Sequence, residues 1–105
     1  MSEPMRIRAT VRDGVADVRI LMMHAMETGL RRDSAGSVVP SHYITDVRVD
    51  LNGARAINVR WGPSVSRNPF LGLRLTGVKA GDQLSVTWLD NRGDQRSDGV
   101  VVSAA

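Results

Sequence analysis

Two histidines and a glutamate are the side chains best suited to binding a metal ion. His24, Glu27 and His42 offer imidazole and carboxylate ligands, which suit zinc. Glu27 lies close to His24, whereas His42 lies 18 residues further along the same irregular stretch. No cysteine is present to complete a ligand set. Loop histidines more often make ordinary hydrogen bonds, so the sequence predicts no metal site and no cofactor.

Nucleophilic catalysis has weaker support. Ser41 precedes His42, but adjacency in sequence does not create a Ser-His-Asp triad, and no nucleophile-elbow motif is present. The dinucleotide-binding and P-loop fingerprints, which would indicate nucleotide chemistry, do not occur either. The sequence therefore predicts no catalytic residues, and it favours a binding or structural protein over an enzyme.

The charge pattern argues against nucleic-acid binding despite a net charge of +3. Arginines alternate along separate predicted strands and are interleaved with aspartates, which is typical of a solvated sheet face rather than a basic stripe. No run of about 18 apolar residues could span a membrane, and the first residues lack the apolar core of a signal peptide. Taken alone, the sequence predicts a soluble, cytoplasmic protein that binds neither nucleic acid nor membrane.

The candidate ligands lie in one long stretch, residues 23–42, that keeps neither a strand nor a helix period. Connections of about 20 residues are usually functional or disordered, and the apolar residues in this one favour a structured loop. Met22, Met23 and Met26 beside Leu30 either form an adaptable apolar surface or fill the end of the core.

Alternating apolar residues predict strands on both sides of this loop. Asp13-Gly14 and Asn52-Gly53 supply tight hairpin turns, which need positive φ at both positions. A helix over 16–26 competes with the second strand, although β-branched residues there favour the strand. The predicted strands cover residues 6–12, 15–22, 43–51, 57–61, 70–76, 84–90 and 95–102.

These segments together predict an all-β protein, an immunoglobulin-like two-sheet antiparallel β-sandwich of about seven strands. Residues 1–105 are expected to form a single domain with a flexible N-terminus over residues 1–5. Trp61 and Trp88 are expected to anchor its core.

The sequence motifs of two loops resemble those of the SoxZ family. His-Ala-Met-Glu-Thr-Gly-Leu-Arg-Arg-Asp at 24–33 is followed by Val-Pro-Ser-His-Tyr-Ile at 39–44, and Trp-Gly-Pro-Ser-Val-Ser-Arg-Asn-Pro-Phe-Leu occupies 61–71. The Asn52-Gly53 hairpin fits as well. Ala25 departs from the family, in which most members are expected to carry proline there.

The resemblance implies a non-catalytic subunit of the SoxYZ carrier of bacterial thiosulfate oxidation. SoxY, the expected heterodimer partner, bears sulfur intermediates on the cysteine of a flexible arm, and other Sox enzymes bind transiently. The family works in the periplasm, which implies export with a signal-bearing partner. The alternative is a SoxZ-like scaffold or interaction module of another sulfur-related or oxidative pathway. Self-association of the isolated chain through a free sheet edge is left open.

A partner interface is predicted in the two loops that carry the SoxZ-like motifs, because loops on rigid sandwiches often hold recognition sites. The candidate residues are Met23, Met26, Glu27, Thr28, Gly29, Arg31, Pro63, Asn68, Pro69 and Phe70.

Overall fold

The computed structural model describes residues 2–105, which form strands and connections and contain no helix. The helix considered over 16–26 is therefore wrong, and no helix that could cross a membrane is found in this part of the chain. Residues 2–105 contain eight strands: β1 Arg6–Arg12, β2 Val15–Leu21, β3 Ile44–Leu51, β4 Ala54–Arg60, β5 Phe70–Thr76, β6 Gln83–Asp90, β7 Gln95–Val101 and β8 Ser103–Ala104.

The strands form two four-stranded sheets, in the orders β5-β2-β1-β8 and β4-β3-β6-β7. All pairings are antiparallel except that of the short β8 with β1. Placing β1, β2 and β5 in one sheet and β3, β6 and β7 in the other is the immunoglobulin arrangement, here with β4 added to the second sheet. The predicted β-sandwich is confirmed, with β8 as an additional strand.

Two tight turns fix the register of the predicted hairpins. Asn52 and Gly53 have φ of 51° and 84°, and Asp13 and Gly14 have φ of 53° and 76°. Positive φ at both central residues matches the right-handed twist of the flanking strands, and asparagine, aspartate and glycine tolerate it best. Both hairpins therefore form where the sequence places them.

The core lies between the sheets, on the inward faces of the central strands. Val18, Ile20, Val47 and Val49 are fully buried, and Trp88 is 2% exposed, as expected of a core anchor. The same expectation is wrong for Trp61, which is only partly buried and packs against the margin of the core. Trp61 follows β4, an edge strand, and an edge residue has a neighbouring strand on one side only.

The molecule is elongated. It measures 53 × 21 × 21 Å, and its radius of gyration of 15.5 Å exceeds the roughly 13 Å of a compact chain of about 100 residues. Of the N-terminal residues expected to be flexible, Met1 lies outside the described residues. Met5 is 7% exposed, and its backbone N–H donates to Asp98 at 2.9 Å. Flexibility stays a prediction for the residues before Met5.

Candidate functional site

The connection between β2 and β3 contains a hairpin-like projection, residues 27–42, that is joined by two isolated β-bridges and that we call the arm. At its base, the Glu27 N–H donates to the His42 carbonyl at 2.6 Å, and the His42 N–H donates to the Glu27 carbonyl at 2.9 Å. Further out, Arg32 pairs with Val38. The Asp33 carboxylate closes the end by accepting the N–H groups of residues 35 and 37. The arm is thus an ordered hairpin.

Three side chains anchor the base of the arm to the sandwich: His24, His42 and Asp90, which we call the clasp. His24 follows β2, His42 ends the arm, and Asp90 is the last residue of β6. The Asp90 Oδ2 lies 3.1 Å from the His24 Nε2 and 2.7 Å from the His42 Nε2. An ionised carboxylate only accepts hydrogen bonds, so both imidazoles donate to it. The clasp therefore joins three separate segments at one oxygen atom.

The tautomer of His24 follows from a second contact. The backbone N–H of Met26 donates to the His24 Nδ1 at 3.1 Å, so the ring proton lies on Nε2 and points at Asp90. The side chain of His24 is 3% exposed. Burial lowers the pKa of His24 below its ordinary value, in spite of the hydrogen bond to Asp90. His24 is therefore a neutral hydrogen-bond donor.

Asp90 is buried but well supplied with donors. Its Oδ1 accepts the backbone N–H groups of Arg92 and Asp94, each at 3.0 Å, in addition to the two imidazole bonds at Oδ2. Burial works to raise the pKa of Asp90, but the bonds from His24, His42 and the backbone outweigh it and lower the pKa. Asp90 is thus a charged group with four donors in place of water.

The acidic neighbour of the two histidines is Asp90, and not Glu27 as the sequence suggested. The Glu27 carboxylate faces Arg31, which lies 2.7 Å away, and this bond lowers the pKa of Glu27 and raises that of Arg31. Sequence reasoning missed Asp90 because it stands 66 residues from His24. An aspartate that ends an apolar strand just before a turn was the available signal.

The clasp fits a hydrogen-bonded anchor better than a metal centre. Potential ligand atoms of His24, His42 and Asp90 lie within 4.8 Å of one another, and such a set suits zinc. A metal bound at the His24 Nε2 would require the ring proton to be on Nδ1. That N–H would then face the Met26 N–H, so two donors would meet and the hydrogen bond from Met26 would be lost. The local backbone therefore holds His24 in the tautomer that donates to Asp90.

A second loop is tied to the same point. Asn68, in the connection between β4 and β5, donates its N–H to the His24 carbonyl at 2.9 Å. Its Oδ1 accepts the His24 N–H at 3.0 Å. The backbone of Asn68 has φ of 50°, a left-handed conformation that asparagine tolerates. The two loops that carry the SoxZ-like motifs thus meet at His24.

An open cleft of about 690 Å³ lies beside the clasp, lined in part by Met23, His42, Arg67 and Trp88. The indole Nε1 of Trp88 is buried and has no hydrogen-bond partner among the described residues. The Trp88 ring packs edge to face against His24 at 5.1 Å. One wall of the cleft is thus formed where the core residue Trp88 packs against the clasp.

The neighbouring serine does not form a catalytic triad with the clasp. The Ser41 Oγ lies 3.2 Å from the Asn91 side-chain amide, and the Ser41 carbonyl accepts hydrogen bonds from Asn91 and Arg92. These contacts hold the base of the arm against the turn after β6. Ser41 therefore helps to anchor the arm.

The predicted interface residues are divided between core and surface. Met26 is 5% exposed and its sulfur accepts the Ile44 N–H at 3.3 Å. Pro69 is also buried, so these two residues offer little accessible surface. Met22 is likewise a core residue. Phe70 is 61% exposed. The remaining candidates are at least partly accessible, namely Met23, Glu27, Thr28, Gly29, Arg31, Pro63 and Asn68. The interface itself stays a prediction.

Comparison with known proteins gives one finding. A family model described as "Sulphur oxidation protein SoxZ" matches residues 5–101, a span that contains the clasp, the arm and all strands except β8. No curated protein matches the chain.

Proposed function

This chain belongs to the SoxZ family of sulphur oxidation proteins, and from that premise we propose that it is the SoxZ subunit of a SoxYZ sulfur carrier. In this role it stabilises SoxY and helps to present cysteine-bound sulfur intermediates to the other Sox enzymes during thiosulfate oxidation. The proposal places the heterodimer in the periplasm, reached by export together with a signal-bearing SoxY.

The observation that carries this proposal is that a chain of a sulphur oxidation family contains no cysteine. Thiolate is the protein group that attacks and holds sulfur, so a covalent intermediate needs the thiol of another chain. The hydrogen bonds of the clasp support a scaffold role as well, because they hold a projecting arm on a rigid sandwich rather than exposing a nucleophile.

Co-expression with a candidate SoxY protein from the same organism tests the proposal. We expect a one-to-one complex in size-exclusion chromatography. After thiosulfate turnover, intact mass measurement should show added sulfur or sulfonate on SoxY and an unchanged mass for this chain. A chain that elutes alone, and that no partner enables to support thiosulfate oxidation, would contradict the proposed function while leaving the fold intact.

A further inference from the structure

Two free sheet edges lie on the same side of the sandwich. β5 ends one sheet and β4 ends the other. Across the sandwich, β1 contacts β7, which places the β8 and β7 ends together and leaves β5 and β4 together at the opposite end. The connection 61–69 joins these two strands directly. We call β4, this connection and β5 the open side.

On the open side, apolar side chains of the edge strands are partly exposed, whereas the corresponding side chains of the central strands are buried in the core. On β5, Leu71, Leu73 and Leu75 pack against the core but stay partly exposed. On β4, Ile57 is 38% exposed, whereas the equivalent Val49 of β3 is fully buried. The two sheets therefore leave an apolar strip along this side.

The charge of the open side has one sign. Residues 54–76 contain no aspartate or glutamate, and their basic residues are Arg55, Arg60, Arg67 and Arg74. Acidic groups approach it from β3 and from the arm, where the pKa of Glu27 is lowered mainly by its hydrogen bond to Arg31 and also by the nearby charge of Arg67. Asp50 pairs with Arg55 at 2.6 Å, and Asp46 lies 3.7 Å from Arg60, whose side chain is 82% exposed.

The two remaining arginines are less compensated. Asp17 of β2 stands opposite Arg74 in the strand register, but its carboxylate pairs with Arg19. Within residues 2–105, neither Arg67 nor Arg74 has an acidic group within 4 Å. The rim of the apolar strip is therefore cationic.

We propose that the open side binds an acidic protein surface that presents an apolar strand flanked by aspartate and glutamate. The inference rests on the proposed function, in which that surface belongs to SoxY. The apolar strip would supply contact area, and the arginine rim would supply charge complementarity.

The free edge of β5 suits such an occupant. Residues 70–76 contain only one charged residue, Arg74, and no proline, so the edge carries few of the features that usually prevent strand pairing. A partner strand could add to it through backbone hydrogen bonds. A second copy of this chain fits less well, because it would bring identical arginine rims together.

Charge reversal on the open side tests the inference. The test variant is R60E/R67E/R74E, and the matched control is R6E/R8E/R12E, which changes the charge equally on the exposed face of β1. The Kd for SoxY would be measured calorimetrically at low and at moderate salt. We expect the test variant to bind about tenfold or more weakly, with a smaller salt dependence than the wild type, and the control to bind nearly as the wild type does.

The other outcomes separate the two proposals. If the wild-type chain does not bind SoxY, the proposed function fails. If it binds, and both variants bind equally well or equally weakly, the open side is not the interface and the proposed function stands. Wild-type self-association that the test variant abolishes would assign the surface to a second copy. Comparable wild-type affinity for anionic vesicles or DNA would overturn the assignment to an acidic protein.

Discussion

The two ends of the arm differ physically although they belong to one connection. At its base, paired backbone bonds join Glu27 to His42, and the residues just before it are buried, with Met26 5% and His24 7% exposed. At its tip, residues 30–38 are all exposed, with Leu30 at 85%. The base is a continuation of the core, whereas the tip is a surface extension of it.

The difference shows how a long connection can be both ordered and available. Fixing a backbone residue costs about 1–2 kcal/mol of conformational free energy, which burial and hydrogen bonds offset at the base. The tip has few buried contacts, so its side chains stay free for recognition. The clasp thus fixes where the tip begins without occupying its surface.

The largest effect is expected from Asp90→Ala, at the base. It leaves both imidazole N–H groups and two backbone N–H groups without their acceptor, and the His24 bond is buried while the other three are partly buried. We expect the free energy of unfolding to fall by about 3 kcal/mol, measured by urea denaturation at pH 7.

The matched control is Asp94→Ala, because Asp94 is exposed and lies in the same turn. We expect a change within about 0.5 kcal/mol there. Equal losses from both substitutions would mean that the turn, rather than the clasp, holds the base of the arm.

A smaller, pH-dependent effect is expected from His24→Gln. Glutamine can keep a donor for Asp90 but loses the acceptor for the Met26 N–H, so stability at pH 7 should fall by about 1 kcal/mol. In the wild type, the folded pKa of His24 lies below the ordinary value of 6.5. Unfolded chains therefore bind the proton more readily, and stability decreases as the pH falls below about 6.5.

The variant cannot titrate at this position, so its stability profile between pH 7 and pH 5 should be flatter than that of the wild type. His24→Asn, which can keep an acceptor for Met26 but not the donor to Asp90, provides the comparison. Wild-type and His24→Gln profiles of equal slope would show that His24 is not the group responsible.

The smallest effect is expected at the tip, from Leu30→Ser combined with Val38→Ser. Both side chains are largely exposed, at 85% and 48%, so the free energy of unfolding should change by less than about 0.5 kcal/mol. Met26→Ala at the base is the contrast, with an expected loss of about 2 kcal/mol or more. A loss above 1 kcal/mol in the tip variant would show that the tip packs on the sandwich.

Much of the fold could be predicted because its determinants are local. Period-two alternation, together with Asn52-Gly53 and Asp13-Gly14, is sufficient to place β1 to β4 and their turns. Trp61 was harder to place, because its exposure depends on the position of β4 at an edge. Strand order is a long-range property that alternation does not contain.

The clasp could not be predicted for the same reason. Residue type singles out His24 and His42 as chemically distinctive, whereas nearness in sequence groups Glu27 with them. Only the pairing of β3 with β6 brings Asp90 to the base of the arm. The local ion pair of Glu27 with Arg31 then leaves the glutamate outside the clasp.

The sequence separations within the clasp also have a consequence for folding kinetics. His24 and Asp90 are 66 residues apart, and His42 and Asp90 are 48 apart. Contacts of this range form more slowly than hairpins such as β1–β2 or β6–β7. We expect the clasp to form after the rate-limiting step and to act mainly on the unfolding rate. The clasp would then contribute to kinetic stability: it would slow unfolding without changing the folding rate.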